Sequence, residues 1–383
     1  MTRRVLLLGS TGSIGAAALD VARALRDEIE IVGLAAGNSW EKLAAQALEF
    51  GVRSVAIADA ARANDLRRRL PAETRVFAGA AGLVDLVRET DADFVLAAIV
   101  GAAGLPATLA AVERGLDIGL ANKESLVVAG SILMPLVKSN GGKLIPIDSE
   151  HSAIFQAMHA GRPEEVRRIY LTASGGPFRT WNAEKIADAT LEQALDHPVW
   201  SMGPKITIDS ATMMNKALEI VEAHHLFGLR VDQIEVLIHP ESIVHSMVEF
   251  ADGSLIAQLG TPDMRTPIQY AMTFPHRKAA VAPTLCWKQA RRLHFEPPDA
   301  QRFPALRLGF EAARAGGTSG AVFNAANEAA VEAFRAARIG FGRITTLIEQ
   351  TLRRHALIAS PTLEELLAAD AWARQEVERC IER

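Results

Sequence analysis

Across residues 1–150, short apolar runs alternate with amphipathic stretches of helical length. Candidate strands lie at 4–8, 29–35, 54–58, 74–77, 93–99, 117–120 and 143–147. Between them, helical periodicity predicts elements near 13–26, 40–49, 60–70, 80–89, 105–114 and 125–138. Short apolar runs separated by charged helices suit a parallel sheet covered on both faces. Crossovers of this length favour right-handed βαβ units. The spacing predicts an α/β fold, with a doubly wound parallel-sheet nucleotide-binding domain over 1–149.

The rhythm then changes. Strands are expected at 167–173, 233–238, 244–250 and 255–259, with Ala251-Asp252-Gly253 as a short hairpin connection between the last two. A helix is expected at 213–227. This pattern predicts an α+β domain over 150–275. Pro283, Pro297 and Pro298 punctuate a connecting segment over 276–300. The remainder, 301–383, reads as a small C-terminal helical domain, with helices at 304–315, 320–337, 343–355 and 362–381. Thr362 and Glu365 make a capping box for the last of these.

Composition narrows the function class. Hydrophobic residues at 49% and charged residues at 22% are globular proportions. The 41 basic and 45 acidic residues give a net charge of -4, which speaks against an extended nucleic-acid partner. Two cysteines, Cys286 and Cys380, make no disulfide framework, and both are expected to be buried as small hydrophobes. A short basic start leads directly into a strand, and no run of 18 apolar residues follows. The expectation is a cytoplasmic protein with no membrane partner.

Six segments carry candidate chemistry. Gly9-Ser10-Thr11-Gly12-Ser13-Ile14-Gly15 follows a strand and opens a helix, where backbone N–H groups can cradle a pyrophosphate. A tight turn needed only for packing is the plain alternative. The second strand ends at Gly37-Asn38-Ser39, with no acid for the ribose hydroxyls of NAD. That favours NADP, unless Asn38 and Ser39 merely cap the next helix. Ala121-Asn122-Lys123-Glu124-Ser125 stands at a strand end, where open sheets bind ligands. Asp148-Ser149-Glu150-His151 places two carboxylates two residues apart, a donor set for Mg²⁺ or Mn²⁺ or else an acidic loop.

In the fifth segment, 209–219, Asn215 and Lys216 stand four and three residues before Glu219, so the three share a helix face. A phosphate and a metal would suit that face, and a wet surface ion pair is the alternative. The sixth, His197 to Lys205, holds Trp200, Met202, Gly203 and two prolines without periodicity. An active-site lid is one reading, and a permanently packed loop the other. Ser174-Gly175-Gly176-Pro177 has the composition of an anion-holding turn, and His245 lies on a strand.

Together these segments resemble the 1-deoxy-D-xylulose 5-phosphate reductoisomerase family. The likeness rests on 9–15, on Ala-Asn-Lys-Glu-Ser-Leu-Val at 121–127 and on Ile-Asp-Ser-Glu-His-Ser-Ala-Ile-Phe-Gln at 147–156. It extends through Leu-Thr-Ala-Ser-Gly-Gly-Pro-Phe at 171–178, the run 197–227 and His-Pro-Glu-Ser-Ile-Val-His-Ser at 239–246. The resemblance implies isomerisation and NADPH-dependent reduction of 1-deoxy-D-xylulose 5-phosphate to 2-C-methyl-D-erythritol 4-phosphate, a step towards isoprenoid precursors. Retro-aldol cleavage and rejoining, then hydride transfer, is the implied route.

The resemblance also implies roles. Asp148, Glu150 and Glu219 would bind Mg²⁺, Mn²⁺ or Co²⁺. Lys123, Ser149, Glu150, Ser174, His197, Trp200, Met202, Ser210, Asn215, Lys216, Glu219 and His245 would meet the phosphorylated sugar. Lys123, Glu150 and His197 would take catalytic parts. Thr11, Gly12, Ser13, Ile14, Gly37, Asn38, Ser39, Asn122, Lys123, Glu124, Gly203 and Met264 would face NADPH. A homodimer is implied, with the α+β domain at its interface. The chain departs from many relatives at Gly37-Asn38-Ser39, where no positive charge awaits the 2'-phosphate. Two competing readings are a metal-free dehydrogenase and a nucleotide-sensing interaction protein. The first leaves the three carboxylates without a common use, and the second leaves Lys216, His197 and Trp200 without one.

Overall fold

The computed structural model describes residues 2–200, 202–288 and 292–382. Ser201, inside the expected lid, lies outside the described residues. The chain divides into two compact units. The first comprises Met1–Ser125, Leu133–Ser152 and Asp263–Thr284, and the second Leu126–Ile132, Ala153–Pro262 and Leu285–Arg383.

The first unit is built on seven strands: β1 (Arg3–Leu8), β2 (Ile29–Ala36), β3 (Ser54–Ile57), β4 (Arg75–Ala78), β5 (Phe94–Ala97), β6 (Asp117–Leu120) and β7 (Leu144–Pro146). They lie in the order β4-β3-β2-β1-β5-β6-β7, and every ladder is parallel. Helices Ser13–Ala24, Trp40–Phe50, Ala63–Arg69, Gly79–Glu89, Leu105–Glu113 and Lys123–Asn140 make the crossovers. Burial explains the uninterrupted apolar runs. Val5 to Leu8 and Phe94 to Leu96 have no exposed surface. The strand order reverses between β1 and β5, and Leu8 pairs with both Ala35 and Ala97. That register brings the loops after β1, β2 and β5 to one edge, the crevice where doubly wound sheets take ligands.

The second unit holds a four-stranded sheet and the C-terminal helices. Its strands are β8 (Val166–Ala173), β9 (Ile234–Ile238), β10 (Val244–Phe250) and β11 (Leu255–Leu259), in the order β11-β10-β8-β9. β10 is antiparallel to β8 and β11, while β9 is parallel to β8. Helix Met214–Phe227 belongs to a core with Ile169, Phe178, Phe323 and Ile348. Helices Ala305–Ala315, Ser319–Arg335, Arg343–Arg354 and Leu363–Ile381 complete the unit, and the Thr362–Glu365 capping box forms.

Several features depart from the sequence reading, among them helix Ser149–Met158, which follows Asp148 directly and carries Glu150 in its first turn where no helix is expected. Helix Pro204–Ala211 runs where the lid was expected to end. Its Pro204 fits the first helical turn, where no backbone N–H is needed. Helix Arg265–Thr273 was not anticipated. Pro267 masks its periodicity but is also tolerated in a first turn. Cys286 is exposed, because it lies in the irregular proline-rich stretch, whereas Cys380 is buried as expected. Among the described residues no helix is long and apolar enough to cross a membrane.

Candidate active site

The glycine turn after β1 is shaped by close contacts. Gly9 has φ +88, and a Cβ there would meet the Ala98 carbonyl oxygen at 2.5 Å. A Cβ at Gly15 would lie 2.3 Å from the Gly9 carbonyl oxygen, so helix and strand pack too closely for a side chain. Gly12 is exposed, and a Cβ there would meet nothing nearer than the Gly9 carbonyl oxygen at 3.5 Å. Helix Ser13–Ala24 starts with no side-chain cap and no acid in its first turn. Such an end suits an anion, and the glycine lets a pyrophosphate approach. Thr11, Ser13 and Ile14 stand around it, half-buried or exposed. Ser10 is committed elsewhere: its hydroxyl donates to Gln46 Oε1 at 2.7 Å, and Gln46 Nε2 donates back to the Ser10 carbonyl at 3.0 Å.

At the end of β2, Gly37 and Asn38 are exposed. Ser39 makes no side-chain cap for helix Trp40–Phe50, so capping does not account for its hydroxyl. After β6, the Asn122 amide is used structurally. Its Oδ1 accepts from the Ser125 N–H at 3.2 Å, and its Nδ2 donates to the Gly101 carbonyl at 2.8 Å and to the Ile99 carbonyl. This knot fixes the start of helix Lys123–Asn140 against the loop after β5. Lys123 follows with only 5% of its surface exposed, and its ammonium pairs with Asp148. Glu124 is buried beside it. Ser149 donates to Glu150 Oε2. Met264 stands in the same unit, at the N-cap of helix Arg265–Thr273.

The second unit gathers another polar set. Gly175 and Gly176 both adopt positive φ after β8. Ser174 Oγ accepts from the Gly176 N–H at 3.2 Å and bonds His197 Nε2 at 3.0 Å. His197 Nδ1 accepts from the backbone N–H groups of Val199 and Trp200, at 3.1 and 2.9 Å. Those two donors place the ring proton on Nε2, which therefore donates to Ser174. Burial lowers the His197 pKa below the usual histidine value, favouring this neutral form. Trp200 lies 6.3 Å from the ring of buried His245, centroid to centroid. Met202 is half-buried and Gly203 is exposed at the N-cap of helix Pro204–Ala211.

Met213 breaks the chain between two helices, with φ 61 in the left-handed region. Helix Met214–Phe227 then starts afresh, and its first turns carry Asn215, Lys216 and Glu219 on one face. Asn215 Nδ2 donates to Glu219 Oε1 at 2.6 Å, and the Lys216 ammonium pairs with Glu219 Oε2. Lys216 is 3% and Glu219 0% exposed, so the wet-surface alternative fails. A Cβ on Gly176 would meet the Ser210 carbonyl at 2.6 Å, which sets the Ser174 turn against Ser210.

Sequence reasoning did not anticipate the part played by His239. Fully buried, it bonds the His294 carbonyl through Nδ1 and accepts from the Ile243 and Val244 N–H groups through Nε2, at 2.8, 3.1 and 3.1 Å. It thereby holds the entrance to β10, which carries His245. Its position in His239-Pro240-Glu241-Ser242 was the available signal.

Comparison with known proteins settles the family. Models for 1-deoxy-D-xylulose 5-phosphate reductoisomerase match residues 5–130, and those for its C-terminal domains match 144–227 and 259–376. The chain belongs to the 1-deoxy-D-xylulose 5-phosphate reductoisomerase family. The reductoisomerase of Chlorobium chlorochromatii is 52% identical over 97% of this chain and 98% of its own. The reductoisomerase from Zymomonas mobilis, solved with NADPH, superposes with a TM-score of 0.94 at 44% identity and covers 100% of both chains. A further solved reductoisomerase, in complex with NADPH, fosmidomycin and magnesium, gives a TM-score of 0.92 at 39% identity. It covers 99% of this chain and 98% of its own.

Proposed function

We propose that this chain catalyses the NADPH- and divalent-metal-dependent isomerisation and reduction of 1-deoxy-D-xylulose 5-phosphate to 2-C-methyl-D-erythritol 4-phosphate. The observation that carries this reading is end-to-end similarity to reductoisomerases, including ones solved with NADPH and with magnesium. NADPH supplies the hydride, and we assign it to Thr11, Gly12, Ser13, Ile14, Gly37, Asn38, Ser39, Asn122, Lys123, Glu124, Gly203 and Met264. The uncapped helix start at Gly12 fits its pyrophosphate. The divalent cation, when bound, polarises substrate oxygens. Asp148, Glu150 and Glu219 are the residues we assign to hold it, as hard oxygen donors of the right type.

The remaining roles follow from the protein's own groups. Lys123 and Lys216 each face a carboxylate of the proposed set, Asp148 and Glu219. Each is a buried cation suited to holding developing negative charge or a phosphate. Ser174, Ser210, Asn215 and Lys216 bind the substrate phosphate, and Ser149, Glu150, Trp200, Met202 and His245 orient the sugar. His197, neutral and hydrogen-bonded to Ser174, closes over the phosphate with its loop and excludes water. A homodimer forms through the second unit. The exposed Leu255, Ile256 and Leu259 on edge strand β11 support that surface. The cytoplasm is the proposed site of action.

The test is NADPH oxidation by the purified protein with the phosphorylated deoxyxylulose, with and without Mn²⁺. Metal- and sugar-dependent oxidation is expected. Full turnover after EDTA treatment would remove the metal from the reading.

A further inference from the structure

We propose that Asp209 is a positioning residue, fixing the trailing end of the 197–205 loop and neighbouring Ser210 to the C-terminal helix Ser319–Arg335. The inference rests on the reading that this loop and Ser210 serve a phosphorylated substrate.

Asp209 is 1% exposed. Each of its oxygens has its own partner. Oδ2 meets the Lys205 ammonium at 2.8 Å, and Oδ1 accepts from Asn327 Nδ2 at 2.9 Å. Asn327 has no exposed surface. The carboxylate is therefore clamped between Lys205, one turn earlier on the same helix where the 197–205 segment ends, and a side chain 118 positions away. Next along the chain is Ser210, whose carbonyl packs on the Gly176 turn.

Local helix energetics do not explain this arrangement. Helix Pro204–Ala211 carries Lys205 in its first turn and Asp209 in its last. Both charges oppose the helix dipole, and a lysine four residues before an acid is the weaker order for such a pair. A buried carboxylate also carries a desolvation cost before its partners offset it. A salt bridge placed against the dipole and under cover is poor stabilisation, but it is a good locator. It holds the loop end through Lys205 and the Ser210 backbone through adjacency, and it refers both to a rigid helix. The C-terminal helical segment thereby acquires a part in catalysis without touching the substrate.

The experiment compares Asp209→Asn, Lys205→Met and the double variant, using phosphorylated and unphosphorylated deoxyxylulose with NADPH and Mn²⁺. Asp209→Asn should lower kcat/KM for the phosphorylated sugar about thirtyfold, the scale of a small misplacement, and for the other sugar about threefold or less. The double variant should be no worse than the poorer single one, because both changes break one clamp. Equal penalties on the two sugars, or additive losses, would overturn the proposal. Asn327→Ala reaches the same clamp from the other side and should show the same selectivity if Asp209→Asn fails to fold. An equal loss on both sugars in that variant is likewise fatal to the idea.

Absence of wild-type turnover would instead sink the functional reading. The clamp is then read by calorimetric titration of inorganic phosphate at saturating NADPH. Asn327→Ala should need at least about tenfold more phosphate than wild type, a shift of roughly 1.4 kcal/mol. Unchanged phosphate affinity would overturn the positioning role on its own.

Discussion

Lys216 and Glu219 are buried as a pair, so removing either charge strands the other in low dielectric. Glu219→Gln keeps the shape and removes a charge from the proposed cation site. Turnover should fall by about two orders of magnitude or more, the scale of a lost Lewis acid, while NADPH affinity stays near wild type. A wild-type rate for this variant would show that the cation is held elsewhere. The shared face of Asn215, Lys216 and Glu219 was legible from helical spacing alone. Its burial was not, since the sequence shows which side chains share a face but not what covers them. His225 illustrates the same gap. Its ring lies against Gly130, where a Cβ would come within 2.4 Å of the imidazole. Burial, aided by His224, lowers its pKa to about 4. The unfolded chain titrates near 6.5 and binds the extra proton between those values. Stability therefore falls as pH drops from about 6.5 towards about 4, by roughly 3 kcal/mol at most. Urea midpoints of His225→Gln across this window should depend less on pH than those of wild type. An unaltered slope would assign the acid sensitivity to other groups.

Turns and helix starts carry the next level of organisation. The first seven strands were legible to within two residues at each end, because a doubly covered parallel sheet demands unbroken apolar runs. Helix Pro204–Ala211 was not, because prolines, a glycine and a tryptophan just before it hide the period. Met213 was equally opaque, since nothing in its identity signals a left-handed backbone. Gly176 is a position where the required conformation can be tested. It combines φ +67 with a 2.6 Å approach to Ser210, whereas Gly37 has open space and an ordinary φ. Gly176→Ala should cost about 1–2 kcal/mol from backbone strain alone and weaken binding of the phosphorylated sugar. Gly37→Ala should leave the melting temperature unchanged. Equal behaviour of the two variants would show that the Ser174 turn has room to move. The neighbourhood of Gly37 also bears on cofactor choice. The absence of an acid from 35–39 removes a repulsive partner for the 2'-phosphate. NADPH should be favoured over NADH by at least about tenfold, or roughly 1.4 kcal/mol. Matched catalytic efficiencies would reject this.

Over the full chain, the order of synthesis and the order of assembly differ. The first unit leaves the chain at Ser152 and resumes at Asp263–Thr284. Helix Arg265–Thr273, in the returning segment, packs on helix Ser13–Ala24 and along β1, β6 and β7. Arg3 reaches the same segment, donating to the Ala271 and Met272 carbonyls at 3.2 and 3.3 Å. A parallel sheet that formed during translation would lack this helix until more than a hundred further residues had left the ribosome. At about 5–20 residues per second that delay lasts several seconds or more. A nascent sheet in this state is a natural client for a holding chaperone. A fragment ending at residue 152 should bind a hydrophobic dye and aggregate. The same fragment with 263–284 joined by a flexible linker should remain monodisperse. If both stay monodisperse and dye-free, the returning helix is an ornament on a finished sheet rather than its last structural part.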